Sequence, residues 1–346
     1  MNRKYQLVKM HKPRIVGRKL IVALTAVAIV SFFCTPNVVA KGNVSSISTL
    51  LRDAGSLLQS GKYDKARALY LEALKEDSLN QHALKNIGYI YSIRKDYKNS
   101  LRYLKKAEAI GHADADTYNI LGIAYAGTGD TLKSLESYKQ AVNLAGDNAA
   151  YVKNYGAALV TASRFSEAIA VLDSALSMAP KDGEIDFLLG NCYAGLAKPE
   201  EALKSYRAAI ELGYDTGELR YHLGMVSETA GDLWSAEEHY GIGISKDPDN
   251  LELRQRLAVL YLRAGVYNQA ERLFKENLSR DLDFVKSRIG LGTCYAFMGF
   301  SDSAYAELKT VRATHKDQYQ AMKQMVEGAS KYYKESRRKA DSVSSR

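Results

Sequence analysis

Cysteine is scarce, with three in 346 residues, which excludes a fold held together by disulfides. Five prolines, with 46% hydrophobic and 25% charged residues, exclude collagen-like and wholly disordered chains. The apolar run Leu20–Phe33 falls short of the roughly 20 residues that span a bilayer. The six histidines (His11, His82, His112, His222, His239 and His315) show no paired ligand spacing. A glycine-rich phosphate loop, a nucleophile elbow and a calcium loop are all missing. Glu200-Glu201 is a pair of carboxylates, but it follows Pro199 at a helix opening, where acids complement the helix dipole. These gaps leave no constellation for catalysis, so the chain is expected not to be an enzyme and to need no cofactor or metal.

The net charge of +9 belongs to the two ends. Residues 1–40 carry seven basic residues and no acid, and the stretch from Arg312 onward holds nine basic against four acidic residues. The region between them is slightly acidic, which is no nucleic-acid footprint, so no nucleic-acid partner is expected. The basic start, the short apolar run, Pro36 and the small residue Ala40 together form a secretory leader, with cleavage expected between Ala40 and Lys41. An uncleaved leader would instead anchor the chain in the membrane and still leave the remainder outside the cytoplasm. Export is thus expected either way, to the periplasm of a Gram-negative bacterium, with the alternative an inner-membrane anchor facing that space.

A 34-residue frame laid from Ile47 fits eight times without insertion and ends at Gln318. Position 8 of the frame holds Ala54, Gly88, Gly122, Gly156, Gly190, Gly224, Ala258 and Gly292. Position 20 holds only alanine or serine, from Ala66 and Ser100 to Ala304. Large residues occupy position 24, from Tyr70 to Leu308, and position 11 in all but one unit, where Ser227 stands. Nine of the 24 tyrosines fall at these two positions, which explains their excess as core rings with a polar tip. Each unit reads as two amphipathic helices, with small residues where they approach and large ones filling the adjacent volume. Gly61, Gly129, Gly231, Gly265 and Gly299, all at position 15, read as left-handed stops to the first helix. Cys192 and Cys294, both at position 10 and three units apart, read as buried fillers.

Leu121-Gly122 with Tyr125, Leu189-Gly190 with Tyr193, the alanines at positions 20 and 27, and Pro180 and Pro248 at position 32 resemble the tetratricopeptide repeat. Asp53, Ser227, Asn277 and Val311 depart from its pattern. The resemblance implies an all-α, right-handed α-solenoid of about eight tandem helical hairpins. The chain then divides into a leader (1–40), a linker (41–46), the repeats (47–318), a capping helix (319–335) in which Met322 and Met325 cover the last unit, and a basic disordered tail (336–346).

The resemblance also implies a groove lined by the first helices, which places Lys85, Asn86, Tyr89, Asn119, Lys153, Asn154, Phe187, Asn191, Tyr221 and Met225 on it as candidate binding residues, beside His222, Gln255 and Arg256. Asparagines there suit a peptide backbone, lysines suit acidic groups, and the aromatic residues and Met225 suit apolar anchors. The family's carboxylate clamp does not fit, because Tyr89, Ile120 and Ala157 stand where it needs polar groups. The expected function is an exported, non-catalytic scaffold binding a protein or peptide segment in envelope assembly or secretion. The alternative is a glycan- or wall-associated scaffold supporting an envelope enzyme.

Overall fold

The computed structural model describes residues 41–111 and 113–344, with side chains from 47 to 342. The expected leader and the Ala40 side of its cleavage site lie outside the described residues. The chain divides into two units, Met1–Ser45 and Ser46–Arg346, and the repeats lie in the second.

Every element among the described residues is an α-helix, and the helices pair into hairpins. The first four hairpins are α1 (Lys41–Gln59) with α2 (Tyr63–Glu76), α3 (Gln81–Ile93) with α4 (Tyr97–Ala109), α5 (Ala115–Gly127) with α6 (Thr131–Leu144), and α7 (Ala149–Thr161) with α8 (Phe165–Met178). The next four are α9 (Gly183–Gly195) with α10 (Pro199–Glu211), α11 (Gly217–Thr229) with α12 (Leu233–Lys246), α13 (Leu251–Arg263) with α14 (Tyr267–Arg280), and α15 (Val285–Met298) with α16 (Ser301–Thr314). From α3 onward, each first helix begins on the residue where the 34-residue frame restarts. A closing helix, α17 (Lys316–Ser344), packs on α15 and α16.

The residue before each of these first helices except α15, which follows Phe284, explains that regularity. Asn80, Asp114, Asn148, Asp182, Thr216 and Asn250 stand 34 apart, and each side chain accepts a hydrogen bond from a backbone N–H of the helix it precedes. Such a cap contributes about 1 kcal/mol. In the second to sixth hairpins the glycine at position 8 faces the large residue at position 24, whereas Gly292 of the eighth faces Met322 of the closing helix. A Cβ on Gly156 would come within 2.5 Å of the Leu172 side chain, and Gly122, Gly190 and Gly224 lie as closely against the rings of Tyr138, Tyr206 and Tyr240. Where position 20 is serine, its hydroxyl donates to the carbonyl of the facing glycine, Ser100 to Gly88 at 2.8 Å and Ser134 to Gly122 at 2.9 Å. The core is therefore a file of clusters, each shared among two or three consecutive hairpins, as in stacked repeats.

Position 15 is left-handed in every repeat. Glycine meets that demand at the five expected sites, with φ between +71° and +82°. Lys95, Ser163 and Ala197 meet it at φ of +59°, +58° and +56°, although a left-handed conformation costs a residue with a Cβ about 1–2 kcal/mol.

Three boundaries differ from the sequence reading. Residues 41–46 are the start of α1 and not a linker, because the helix continues upstream of the first frame position. Helix α17 runs on through 344, so the expected tail is helical over most of its length. Met322 is buried on the last repeat, but Val326 and Ala329 complete that contact while Met325 is 53% exposed. Spacing decides this: residues 322, 326 and 329 share a helix face, and 325 lies off its centre.

Candidate functional site

The first helices line one face of the file. α3, α5, α7, α9 and α11 each touch the next in turn, and no comparable contact joins the second helices. Elements in closer mutual contact lie on the inside of a curved stack, so this face is the candidate groove.

The structure puts the sequence-derived residues there to different uses. Lys85 Nζ lies 2.6 Å from Asp114 and 3.5 Å from Asp116, and Lys153 Nζ lies 2.8 Å from Asp182 and 2.5 Å from Glu184. Each lysine thus binds the cap and the first turn of the next repeat, and its charge is taken up inside the chain. Burial works against the Lys153 charge, yet its hydrogen bonds to Asp182 and Glu184 outweigh this and raise its pKa. Burial likewise opposes ionisation of Asp114, but hydrogen bonds from Lys85 and Thr117 hold its pKa low.

Asn86 donates back to the His82 carbonyl, and Asn154 of repeat 4 donates to Asn119 of repeat 3 at 2.9 Å. Asn191 accepts from the Tyr206 hydroxyl at 2.7 Å. Tyr89 is exposed, while Tyr221 and Met225 are half-buried. Phe187 is core and not groove: it is 4% exposed, because its ring packs on Tyr206, Tyr214 and His222. Gln255 is also buried, accepting from Ser287 at 2.6 Å in a network with Arg254 and Asn277. That network gives the departing Asn277 its role, since it satisfies the almost fully buried Arg254.

Sequence reasoning missed how the seams between repeats differ. Position 17 of one repeat meets position 13 of the next. Between repeats 2 and 3, and again between 4 and 5, an aromatic ring lies on a glycine, Tyr97 on Gly127 and Phe165 on Gly195. These seams are closed, and they are the two that Lys85 and Lys153 bridge. Between repeats 3 and 4 the pair is Thr131 and Thr161, and there a pocket of about 180 Å³ opens, lined also by Ala126, Asn154 and Ala157. Between repeats 5 and 6 the pair is Pro199 and Thr229, and a pocket of about 250 Å³ opens, lined also by Ala194, His222 and Met225. Equivalent residues in the two pockets are 68 positions apart. The signal was present at positions 13 and 17, but a 34-residue frame averages over it.

His222 also lines a neighbouring hollow with Tyr221, Glu218, Asp247 and Glu252. Burial lowers the His222 pKa. Cys192 and Cys294 are buried free thiols, pushed up to about 12 by burial. Among the described residues no cluster of metal-ligating side chains occurs.

Models of tetratricopeptide repeats match residues 52–117 and 159–222, and a model of the C-terminal tetratricopeptide repeats of YpiA-like proteins matches 118–182. Residues 52–222 thus carry tetratricopeptide repeats. No curated protein matches the chain. Among solved structures, it is 14% identical to a chain in the Cut9–Hcn1 hetero-tetramer of the APC/C, over 84% of this chain and 57% of that one, with a TM-score of 0.58. It is also 14% identical to PilF of Pseudomonas aeruginosa, over 62% of this chain and 98% of that one, with a TM-score of 0.52. Both likenesses are of fold, and the tetratricopeptide solenoid is the fold in common.

Proposed function

We propose that the protein is a non-catalytic adaptor that holds an extended segment of another protein against the face lined by its first helices. The observation that carries this reading is the recurrence of open pockets on that face, at one register, beside half-buried asparagines that can serve a backbone. The basic leader and its apolar run support export, so we place the adaptor in the periplasm, in envelope assembly or secretion, or tethered to the inner membrane if the leader is retained.

Selection of a random peptide library on the immobilised full chain, followed by hydrogen exchange of the complex, tests the reading. Enriched peptides should slow exchange along α5, α7, α9 and α11. Protection confined to the second helices, or no enrichment, would overturn it.

A further inference from the structure

The two open seams are copies of one seat. Ala126 and Ala194, Thr131 and Pro199, Asn154 and His222, Ala157 and Met225, and Thr161 and Thr229 are pairs in the same register, two repeats apart. The seam between them is stopped by Phe165 on Gly195, where a Cβ would come within 2.5 Å of the ring. A ligand lying along this face therefore meets a seat, a plug and a second seat.

Touching helices lie about 8–10 Å apart, so two steps along the first helices separate the seats by about 16–20 Å. An extended chain advances about 3.3 Å per residue, which makes that separation about five to six residues. A cavity of about 150 Å³ can take a benzene-sized group, so both pockets have room for a leucine or phenylalanine side chain. Seat lining sets a preference: Met225, Val226 and Pro199 make the second seat the more apolar, and Asn154 with two threonines makes the first the smaller and more polar. On the side of the second seat away from the first, Glu218 and Asp247 face the hollow that His222 shares, and neither is in an ion pair among the described residues. Glu252, also there, is paired with Lys286.

We infer that the occupant is an extended protein segment carrying two apolar anchors about five to six residues apart, with a lysine or arginine just beyond the anchor in the second seat. This rests on the groove reading above and sharpens it into a spacing rule. The charge sign follows from the unpaired carboxylates, and it reverses the acidic-partner expectation drawn from Lys85 and Lys153, whose charges are already occupied.

The test is a fluorescence-polarisation titration of the full chain with labelled peptides of about fourteen residues. Each carries two leucines in a glycine–serine background, separated by about two to nine residues, with a lysine after the second. Affinity should peak at a separation of five to six, about tenfold above the single-leucine peptide, and exchanging the lysine for glutamate should weaken it. Transplanting the plug, as T131F/T161G or P199F/T229G, should abolish the peak. Removing the natural plug, as F165T/G195T, should add an optimum at about three residues. The spacing scan on the unmodified chain needs no variant to fold. Binding that ignores separation would overturn the two-seat rule while leaving the groove reading intact. Absence of binding at every separation, in a chain that does enrich peptides from the random library, would also overturn the rule alone; if no peptide binds in either experiment, both fall.

Discussion

Closed and open seams are built from the same repeat and differ at positions 5, 13 and 17. In a closed seam an aromatic residue at position 17 lies on a glycine at position 13, and a lysine at position 5 bridges to two carboxylates of the next repeat. In an open seam the same positions hold threonine or proline against threonine, and the space stays free. The first helices touch more extensively across the closed seams, α3 with α5 and α7 with α9, than across the open ones, α5 with α7 and α9 with α11. From repeat 2 to repeat 6, filled and open junctions thereby alternate. At positions 13 and 17 one set is filled and the other leaves a pocket, while hollows lie at the N-terminal ends of the first helices at the closed seams as well.

The seam between repeats 7 and 8 sharpens this contrast, because a buried polar network holds it. Arg254 donates to Asn277 at 2.9 Å and to the Pro248 carbonyl at 2.5 Å, and Asn277 donates to Ser287 at 3.0 Å. Asn277→Ala restores the usual repeat residue but removes one of three partners of the buried Arg254, leaving the Pro248 carbonyl and Glu276, and should cost about 2 kcal/mol in urea unfolding. A neutral outcome would mean that packing alone holds the seam.

Lys153→Met removes the bridge of a closed seam while keeping most of the stem. The side chain is 18% exposed, so a loss of about 1 kcal/mol is expected, with hydrogen exchange rising at the start of α9. An equal effect from Lys133→Met, whose partner Asp130 is on its own helix turn and whose side chain is 61% exposed, would show that the bridge across the seam has no special weight.

Ala197→Gly should stabilise by about 0.5–1 kcal/mol, since glycine carries no penalty at a φ of +56° and part of that gain is offset by unfolded-state entropy. Ala197 lies at the open seam of the second seat, so the variant also asks whether strain there serves binding. Unchanged peptide affinity with a raised Tm would show that it does not.

The smallest effect is one of pH. Burial lowers the pKa of His222, and burial together with nearby cations lowers those of His82 and His239. The folded state then holds fewer protons than the unfolded one, so their contribution is fully present above about 6.5 and is lost as pH falls through the lowered folded values. Unfolding midpoints should fall between pH 7 and 5, and His222→Asn should flatten part of that fall.

Much of this architecture was legible in the sequence. The phase of the repeats, the small residues at positions 8 and 20 and the glycines at position 15 follow from steric needs that only a few residue types meet. Lys95, Ser163 and Ala197 were not legible as left-handed, because nothing local marks them and the surrounding hairpin imposes the conformation. Phe187 occupies a groove position, yet its ring turns into the core because Tyr206, Tyr214 and His222 of adjoining elements offer it a bed. The lysine bridges were hidden because each partner lies 29–31 residues ahead. The alternation of the four seams from repeat 2 to repeat 6 was hidden because like seams stand two repeats apart, twice the frame.

Substitution of valine at position 13 in four successive seams tests that alternation most directly. Urea midpoints for Gly127→Val and Gly195→Val should fall by an amount equal to about 1–3 kcal/mol, because the added carbons meet the Tyr97 and Phe165 rings. Thr161→Val and Thr229→Val, at the open seams, should stay within about 0.5 kcal/mol of the unmodified chain. A sawtooth along the file is the predicted result, and four equal losses would contradict it.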